Sequence, residues 1–308
     1  MKMHLKILPG FVLIAAFLVT LPGTLLAEDE FSAKGADNCL MCHRTDKWKV
    51  MPIFNTKHGS QVDPDAPFSN HQCEACHGPS LAHVKAKKKA EVQPKVVFGD
   101  NANVSAGEQN EMCLSCHVSH EGMGWMGSAH ENADVTCVSC HDVHAERDRM
   151  FDPLEQQQVC FDCHQRVRSD IHKASGHPLR FGNMSCSDCH NVHDGNNDFL
   201  LTEDNVNDTC YTCHAEKRGP FLWEHAPVTD DCTLCHDVHG SNHPAALTKR
   251  PPLLCQQCHS AAGHPSTAYT SEDIDQSPAD RFMLSRSCMN CHSQVHGSNH
   301  PSGNTQIR

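Results

Sequence analysis

The residues with the clearest chemical meaning are twenty cysteines, all of which lie in Cys-x-x-Cys-His motifs. The motif occurs ten times, and no cysteine lies outside it. The cysteines are Cys39 and Cys42, Cys73 and Cys76, Cys113 and Cys116, Cys137 and Cys140, Cys160 and Cys163, Cys186 and Cys189, Cys210 and Cys213, Cys232 and Cys235, Cys255 and Cys258, and Cys288 and Cys291. The histidines that close the motifs are His43, His77, His117, His141, His164, His190, His214, His236, His259 and His292. Such regularity indicates ten copies of one binding site.

The spacing within the motif suits covalent attachment of haem c. Two thiols separated by two residues can reach the two vinyl groups on one edge of a porphyrin and become thioethers. The next residue then carries an imidazole beneath the iron. The sequence therefore predicts ten covalently attached haems, with the ten motif histidines as proximal ligands.

Three other interpretations are compatible with the cysteines. One motif alone would also fit half a zinc site or a redox-active disulfide. An even number of cysteines would also fit a disulfide scaffold in an oxidising compartment. None of the three requires a histidine after every second cysteine, so haem attachment is favoured.

The remaining histidines indicate a second axial ligand for each iron. Of 26 histidines, ten close motifs and His4 lies in the N-terminal segment, which leaves fifteen. When the motifs are taken as five consecutive pairs, each pair has three extra histidines and needs two. One lies between the two motifs, as in Gly-His177-Pro, and a second closely follows the later motif, as in Cys-His-Asp-Val-His144. The predicted distal ligands are His58, His83, His130, His144, His177, His193, His225, His239, His264 and His296.

The position of each distal histidine suggests which iron it serves. A residue three positions after a proximal histidine lies on the same side of that ring, so we expect it to ligate the neighbouring haem and to join haems into close pairs. We expect the histidine between two motifs to serve the later haem of its pair. The histidines expected to be exposed or to contact propionates are His71, His120, His172, His243 and His300.

The overall composition indicates that the fold depends on the bound groups. Hydrophobic residues make up 38% of the 308 residues, but this figure includes the cysteines, and aromatic residues make up only 6%. Such a chain cannot build an ordinary apolar core. The sequence predicts a multihaem cytochrome c fold that is elongated and consists mostly of loops and short α-helices around the haems, with little or no β-sheet.

The N-terminal segment has the features of a secretory signal peptide. Lys2 and Lys6 precede an apolar stretch from Phe11 to Leu21, and cleavage is expected after Ala27. The apolar run is about half as long as a membrane-spanning helix. We expect 1–27 to be removed and 28–308 to form a single decahaem domain of five haem-pair repeats. The net charge of -12 makes nucleic acid an unexpected partner.

Several stretches resemble the MtrA, MtoA and DmsE family of decahaem cytochromes. They are Asn38–His43, Gln72–Pro79, Asn207–Pro220, Trp223–Thr229 and Cys288–Gly303. The resemblance covers essentially the whole mature chain. It implies a periplasmic cytochrome inserted in an outer-membrane β-barrel porin. Its partners would be periplasmic or inner-membrane cytochrome carriers on one side and an extracellular cytochrome or reductase on the other.

The resemblance leaves the direction of electron flow open. Some members resemble conduits that reduce extracellular metal oxides or supply dimethyl sulfoxide reductase, and others resemble entry routes for electrons from extracellular Fe(II) oxidation. A soluble periplasmic electron shuttle or store is the alternative, because its haem chemistry would be identical. A multihaem reductase would need a five-coordinate haem, often marked by lysine in place of the motif histidine, and none of the ten motifs departs. The expectation is an electron carrier and not an enzyme.

Overall fold

The computed structural model describes residues 30–117, 124–194, 197–259 and 288–307. In these ranges the chain consists of short helices joined by turns and loops, and its extended pairing is limited to four isolated β-bridges. This confirms the predicted fold class. The α-helices are α1 (Ala36–His43), α2 (Cys73–His77), α3 (Leu81–Lys85), α4 (Ala106–Leu114), α5 (Ala129–Asn132), α6 (Cys137–Cys140), α7 (Pro153–Phe161), α8 (Gln165–Asp170), α9 (Val206–Tyr211), α10 (Ala226–Asp230) and α11 (Leu253–Gln256).

Short 3-10 helices make up most of the remaining regular structure. Each contains three residues except the first, which contains five. They are Met51–Asn55, Pro67–Ser69, Lys89–Glu91, Gly99–Asn101, Arg149–Phe151, Leu179–Phe181, Cys186–Asp188, Asp198–Leu200, Ala215–Lys217, Cys232–Leu234, Pro244–Ala246 and Cys288–Asn290.

The motifs alternate between two local structures. The first, third, fifth, seventh and ninth motifs, named the odd motifs, lie at the C-terminal ends of α1, α4, α7, α9 and α11. The other five, named the even motifs, begin a helical turn at their own first cysteine. In the second and fourth motifs this turn is α2 or α6, and in the later even motifs it is a 3-10 helix.

Capping side chains fix where the helices before three odd motifs begin. The Ser105 hydroxyl accepts a hydrogen bond from the Glu108 backbone N–H, and Glu108 returns the bond in a capping box. Asp152 caps α7 through its carboxylate, and the Asn205 side chain accepts from the Asp208 N–H at the start of α9. Such caps satisfy N–H groups that have no partner within the helix. Each cap therefore helps to hold the following motif in register.

Buried amides join the two motifs of a pair. The Asn110 side chain is 4% exposed. It donates to the Val135 carbonyl at 3.0 Å and accepts from the Cys137 N–H at 2.8 Å. Asn207 and Gln156 likewise accept from the N–H of the first cysteine in their even motifs. Because buried polar groups need partners, each amide holds an even motif against the helix of the preceding odd motif.

The polypeptide has little apolar interior of its own. Within the described ranges, nine apolar residues are buried, compared with twelve polar or charged residues. The described ranges do not close around a conventional apolar core, in agreement with the composition.

The predicted signal peptide, 1–27, lies outside the described residues, and the single-domain assignment for 28–308 stays a prediction. Across the residues that are described, no helix combines the length and apolar character needed to cross a bilayer.

Candidate haem-binding sites

Histidine rings face each other in pairs, and each pair joins a motif histidine to a histidine from outside the motifs. The described residues contain nine such pairs, with ring centroids 5.9 to 6.3 Å apart. The pairs, in motif order, are His43 with His83, His77 with His144, His117 with His58, His141 with His193, His164 with His130, His190 with His239, His214 with His177, His236 with His296, and His259 with His225.

This separation fits one metal ion between the two rings. An imidazole nitrogen binds a transition metal at about 2 Å and lies about 1 Å from the ring centre, so two axial imidazoles on one iron have centroids about 6 Å apart. Rings in direct contact lie closer, as His71 and Phe31 show by stacking at 3.8 Å. The paired histidines therefore fit the donor set of a bis-imidazole haem.

The structure brings together nine of the ten predicted distal histidines with motif histidines. The tenth, His264, lies outside the described residues, as does His120. His71, which was not expected to be a ligand, stacks on Phe31 instead of facing a motif histidine.

The connectivity of these pairs differs from the sequence expectation. A histidine between two motifs faces the odd motif of the next pair, so His58 lies opposite His117 and not His77. A histidine after an even motif faces the even motif of the preceding pair. His77 therefore lies opposite His144, which follows the fourth motif. Assignment of His58, His130, His177 and His225 to the later haem of their own pair is therefore wrong, whereas the fifth intermotif histidine, His264, lies outside the described residues.

The reason lies in how the two motifs of a pair are joined. Buried amides, such as that of Asn110 bonded to the Cys137 N–H, already hold the two motifs of three pairs together, and the first cysteines of a pair lie beside each other. The extra histidines reach outwards to the neighbouring pairs instead. Among the paired histidines of the described ranges, only His83 faces the odd motif of its own pair.

The cysteines of successive motifs lie near one another. Within each pair the two first cysteines are close enough for a sulfur–sulfur contact, and between pairs the second cysteine of an even motif lies within electrostatic range of a cysteine of the next odd motif. The within-pair neighbours are Cys39 with Cys73, Cys113 with Cys137, Cys160 with Cys186, Cys210 with Cys232, and Cys255 with Cys288. The between-pair neighbours are Cys76 with Cys116, Cys140 with Cys160, Cys189 with Cys210, and Cys235 with Cys258. Neighbouring motifs in the sequence are therefore also neighbours in space.

Hydrogen bonds orient the motif histidines of all five even motifs. A hydrogen on Nδ1 leaves Nε2 free to bind a metal, so an acceptor beside Nδ1 selects the ligating tautomer. Four of these rings have a backbone carbonyl as the acceptor, at 2.7 to 2.9 Å, and the fifth has a carboxylate. The bonds are His77 to Val96, His190 to Phe199, His236 to Ala245, His292 to Thr305, and His141 to Asp148.

Sequence reasoning missed a similar support for the distal rings. His177 Nδ1 donates to the Val238 carbonyl at 3.1 Å, and His225 Nδ1 donates to the Val295 carbonyl at 2.9 Å. Each valine directly precedes the histidine that follows an even motif. The recurring Val-His sequence could have predicted this bond. The histidine of this sequence was used as a predicted ligand, but no role was assigned to the valine carbonyl before it.

Burial favours the neutral form of several rings. It lowers the pKa of His77, His144 and His239 below the usual value for histidine, and the neighbouring His77 ring lowers the pKa of His144 further. Because imidazole must be neutral to bind a metal, these shifts fit a ligand role at neutral pH.

Trp125 supplies a second test of whether haem fits. Its ring lies 6.4 Å from both His130 and His193, and the residue is 7% exposed. Its buried indole N–H has no acceptor among the described residues. A buried donor without a partner is costly, and a haem propionate would supply the missing acceptor.

Comparison with known proteins agrees with this arrangement. The family model described as doubled CXXCH motif matches residues 177–219 and 225–264, and the cytochrome c-type protein NrfB-like model matches residues 73–155. Multiheme cytochrome MtrA of Shewanella baltica is 48% identical over 279 residues, which cover 90% of this chain and 82% of that protein. The chain belongs to the MtrA family of multihaem cytochromes. Haem c as cofactor and electron transfer as activity follow from membership in the MtrA family and from the motifs.

More distant relatives match parts of the chain. Cytochrome c-type protein NrfB of Escherichia coli O6:H1 is 28% identical over 165 residues, covering 50% of this chain and 81% of that protein. High-molecular-weight cytochrome c of Nitratidesulfovibrio vulgaris is 28% identical over 204 residues, covering 54% of this chain and 35% of that protein. Similarity to the MtrA family is thus both higher and more complete than to these cytochromes.

Proposed function

We propose that this chain holds ten bis-histidine haem c groups and passes electrons along them through the outer membrane, inside a porin-like β-barrel. When bound, haem c supplies one-electron exchange at iron. The observation that carries the proposal is the set of nine histidine pairs at iron-spanning distance. Imidazole on both faces leaves no coordination position for a substrate, so the proposed role is that of a carrier and not an enzyme.

We propose that His264, the predicted distal histidine between the ninth and tenth motifs, ligates the iron held by His292, as expected from the sequence. His264 lies outside the described residues. His83 shows that a distal histidine can serve its own pair, because it lies opposite His43 of that pair.

The conduit role is supported by three features taken together. The chain is similar to MtrA over most of its length. Motifs that are neighbours in the sequence are neighbours in space, which supports a single file of haems, and a row of ten haems would exceed the about 40–45 Å thickness of a bilayer with its headgroups. The predicted signal peptide would deliver the protein to the periplasm, where it would meet the barrel.

The partners on either side determine the direction of flow. On the periplasmic side we propose periplasmic or inner-membrane cytochrome carriers, and on the outer side an extracellular cytochrome, reductase or metal. The same row of haems would serve extracellular Fe(II) oxidation or the reduction of metal oxides or dimethyl sulfoxide. Bis-histidine ligation is compatible with flow in either direction.

The test is transmembrane electron transfer in liposomes. The purified holoprotein is inserted with an outer-membrane porin-type barrel into vesicles that contain methyl viologen, and dithionite is added outside. Internal dye should be reduced only when barrel and cytochrome are both present. Vesicles with the barrel alone, and vesicles with the cytochrome alone, are the controls.

Two outcomes contradict different parts of the proposal. Ten low-spin haems without internal dye reduction would overturn the conduit and favour a soluble shuttle. A mass corresponding to fewer than ten porphyrins, or high-spin ferric iron in the purified protein, would overturn the bis-histidine assignment itself.

A further inference from the structure

The motif histidine of the fourth motif has an unusual hydrogen-bond partner. His141 Nδ1 lies 2.5 Å from the Asp148 carboxylate. The motif histidines of the other four even motifs use backbone carbonyls for the same bond. The side chains of His141 and Asp148 are 32% and 17% exposed, so the contact is partly shielded from water.

The loop that follows the fourth motif explains the difference. In the sixth and eighth motifs the acceptor lies nine residues after the histidine, at Phe199 and Ala245. Both residues have a left-handed backbone, with φ of 63° and 55°. In the fourth motif the separation is only seven residues, and a side chain occupies the place of the carbonyl.

In the fourth motif, Arg149 also replaces a backbone group with a side chain. In the sixth motif, the Thr202 N–H donates to the carbonyl of Cys189, the second cysteine, at 3.0 Å. In the fourth motif, Arg149 Nε donates to the corresponding carbonyl of Cys140 at 3.1 Å. Asp148 and Arg149 therefore occupy two positions that neutral backbone groups fill in the sixth motif.

The Asp148 carboxylate is also fixed in orientation. Its second oxygen accepts a hydrogen bond from the Met150 N–H at 3.0 Å, which caps the 3-10 helix Arg149–Phe151. One oxygen is thus held by the backbone, and the other is held against His141. This places a full negative charge on the Nδ1 side of a proposed iron ligand.

We propose that Asp148 is a positioning residue that lowers the reduction potential of the haem held by the fourth motif. A carboxylate accepts the Nδ1 hydrogen more strongly than a neutral carbonyl does. His141 therefore gains imidazolate character and becomes a stronger donor to iron, which stabilises Fe(III) over Fe(II). Reduction of the haem held by the fourth motif would take one electron from a neighbouring reduced haem and convert Fe(III) to Fe(II). The Nδ1 proton would stay between His141 and Asp148.

This inference rests on the proposed ligation of the fourth iron by His141 and His193. Its consequence for the row is a site that is harder to reduce than its even-numbered neighbours. Electrons passing along the row would meet this step at the fourth of ten positions.

The test compares three variants of the full-length holoprotein. Asp148→Asn removes the charge at the bond, and Asp148→Glu retains a carboxylate. Glu146→Gln removes the same charge from an exposed side chain two residues away. Each variant is titrated by spectroelectrochemistry, and its ferric haems are examined by low-temperature electron paramagnetic resonance.

In Asp148→Asn we expect one tenth of the haem absorbance to move to higher potential, with reduction of that haem about tenfold more favourable, which is about 59 mV for a one-electron couple. One low-spin signal should also change its g values. Glu146→Gln should leave both readouts at the wild-type values, and Asp148→Glu should stay closer to the wild type than Asp148→Asn does. An Asp148→Asn titration that matches that of Glu146→Gln overturns the inference.

Two controls separate this inference from the proposed function. High-spin iron in the wild type would contradict bis-histidine ligation, whereas a low-spin wild type with an unshifted Asp148→Asn would contradict only the role of Asp148. If Asp148→Asn fails to load ten haems, near-infrared magnetic circular dichroism of the wild type decides. One haem band displaced in the direction of imidazolate ligation supports the inference, and ten bands of ordinary bis-imidazole energy overturn it.

Discussion

Replacement of Asn110 by alanine should destabilise the protein more than its single small side chain suggests. The amide is 4% exposed and makes hydrogen bonds of 3.0 Å to the Val135 carbonyl and 2.8 Å from the Cys137 N–H. Each bond contributes about 1 kcal/mol, and each partner left unsatisfied away from water costs about 1–3 kcal/mol. We therefore expect the free energy of unfolding to fall by about 2–4 kcal/mol.

Guanidinium unfolding of the holoprotein measures this change, with far-UV circular dichroism and Soret absorbance followed together. Asn101→Ala, at an exposed asparagine, is the matched control. Asn110→Leu keeps most of the volume but neither bond, so it separates lost hydrogen bonds from a packing defect. If Asn110→Ala lies within about 0.5 kcal/mol of the control, the buried amide does not hold the third and fourth motifs together.

Three further predictions concern the haem sites. His144→Ala should convert one of ten haems to a high-spin, carbon monoxide-binding form, whereas the control His243→Ala should convert none. No carbon monoxide binding by His144→Ala would contradict its ligand role. Trp125→Phe keeps an aromatic ring but removes the buried N–H, so loss of a bond to a charged propionate should lower the unfolding free energy by about 1.5–3 kcal/mol. Unchanged stability would argue against a propionate at that position. The chain expressed without haem attachment should lack far-UV helical signal and cooperative unfolding, because the haems supply most of the interior. A cooperative unfolding transition of the haem-free chain would show that the polypeptide has a sufficient core of its own.

The cysteine motifs made the cofactor class predictable from sequence, because covalent attachment requires both thiols and the histidine at fixed spacing. Histidine positions outside the motifs were also informative, and nine of the ten selected ones face motif histidines in the structure. Composition correctly predicted the absence of a conventional core, since a chain so poor in aromatic side chains has little to pack.

Which histidine faces which motif could not be predicted from chain spacing. His58 lies fifteen residues after His43 and nineteen before His77, yet it faces His117. The outcome depends on how buried amides such as Asn110 lock two motifs together, which local sequence does not reveal. The role of Asp148 could not be predicted from the sequence either. Most acceptors for the ring N–H groups are backbone carbonyls, which leave no signature in the sequence, so no pattern identified a carboxylate in this position.

The exchange of histidines between neighbouring pairs has a consequence for how such a chain can change length. Each interior pair of motifs, here called a unit, provides one distal histidine to the unit before it and one to the unit after it, and it receives one from each. Deleting a single motif would leave distal histidines in the neighbouring units without a motif histidine to face. Duplicating a complete two-motif unit would keep a distal histidine opposite every motif histidine. On the proposed ligation, the architecture permits growth in steps of two haems, and an isolated interior unit would lack a distal histidine for either of its irons.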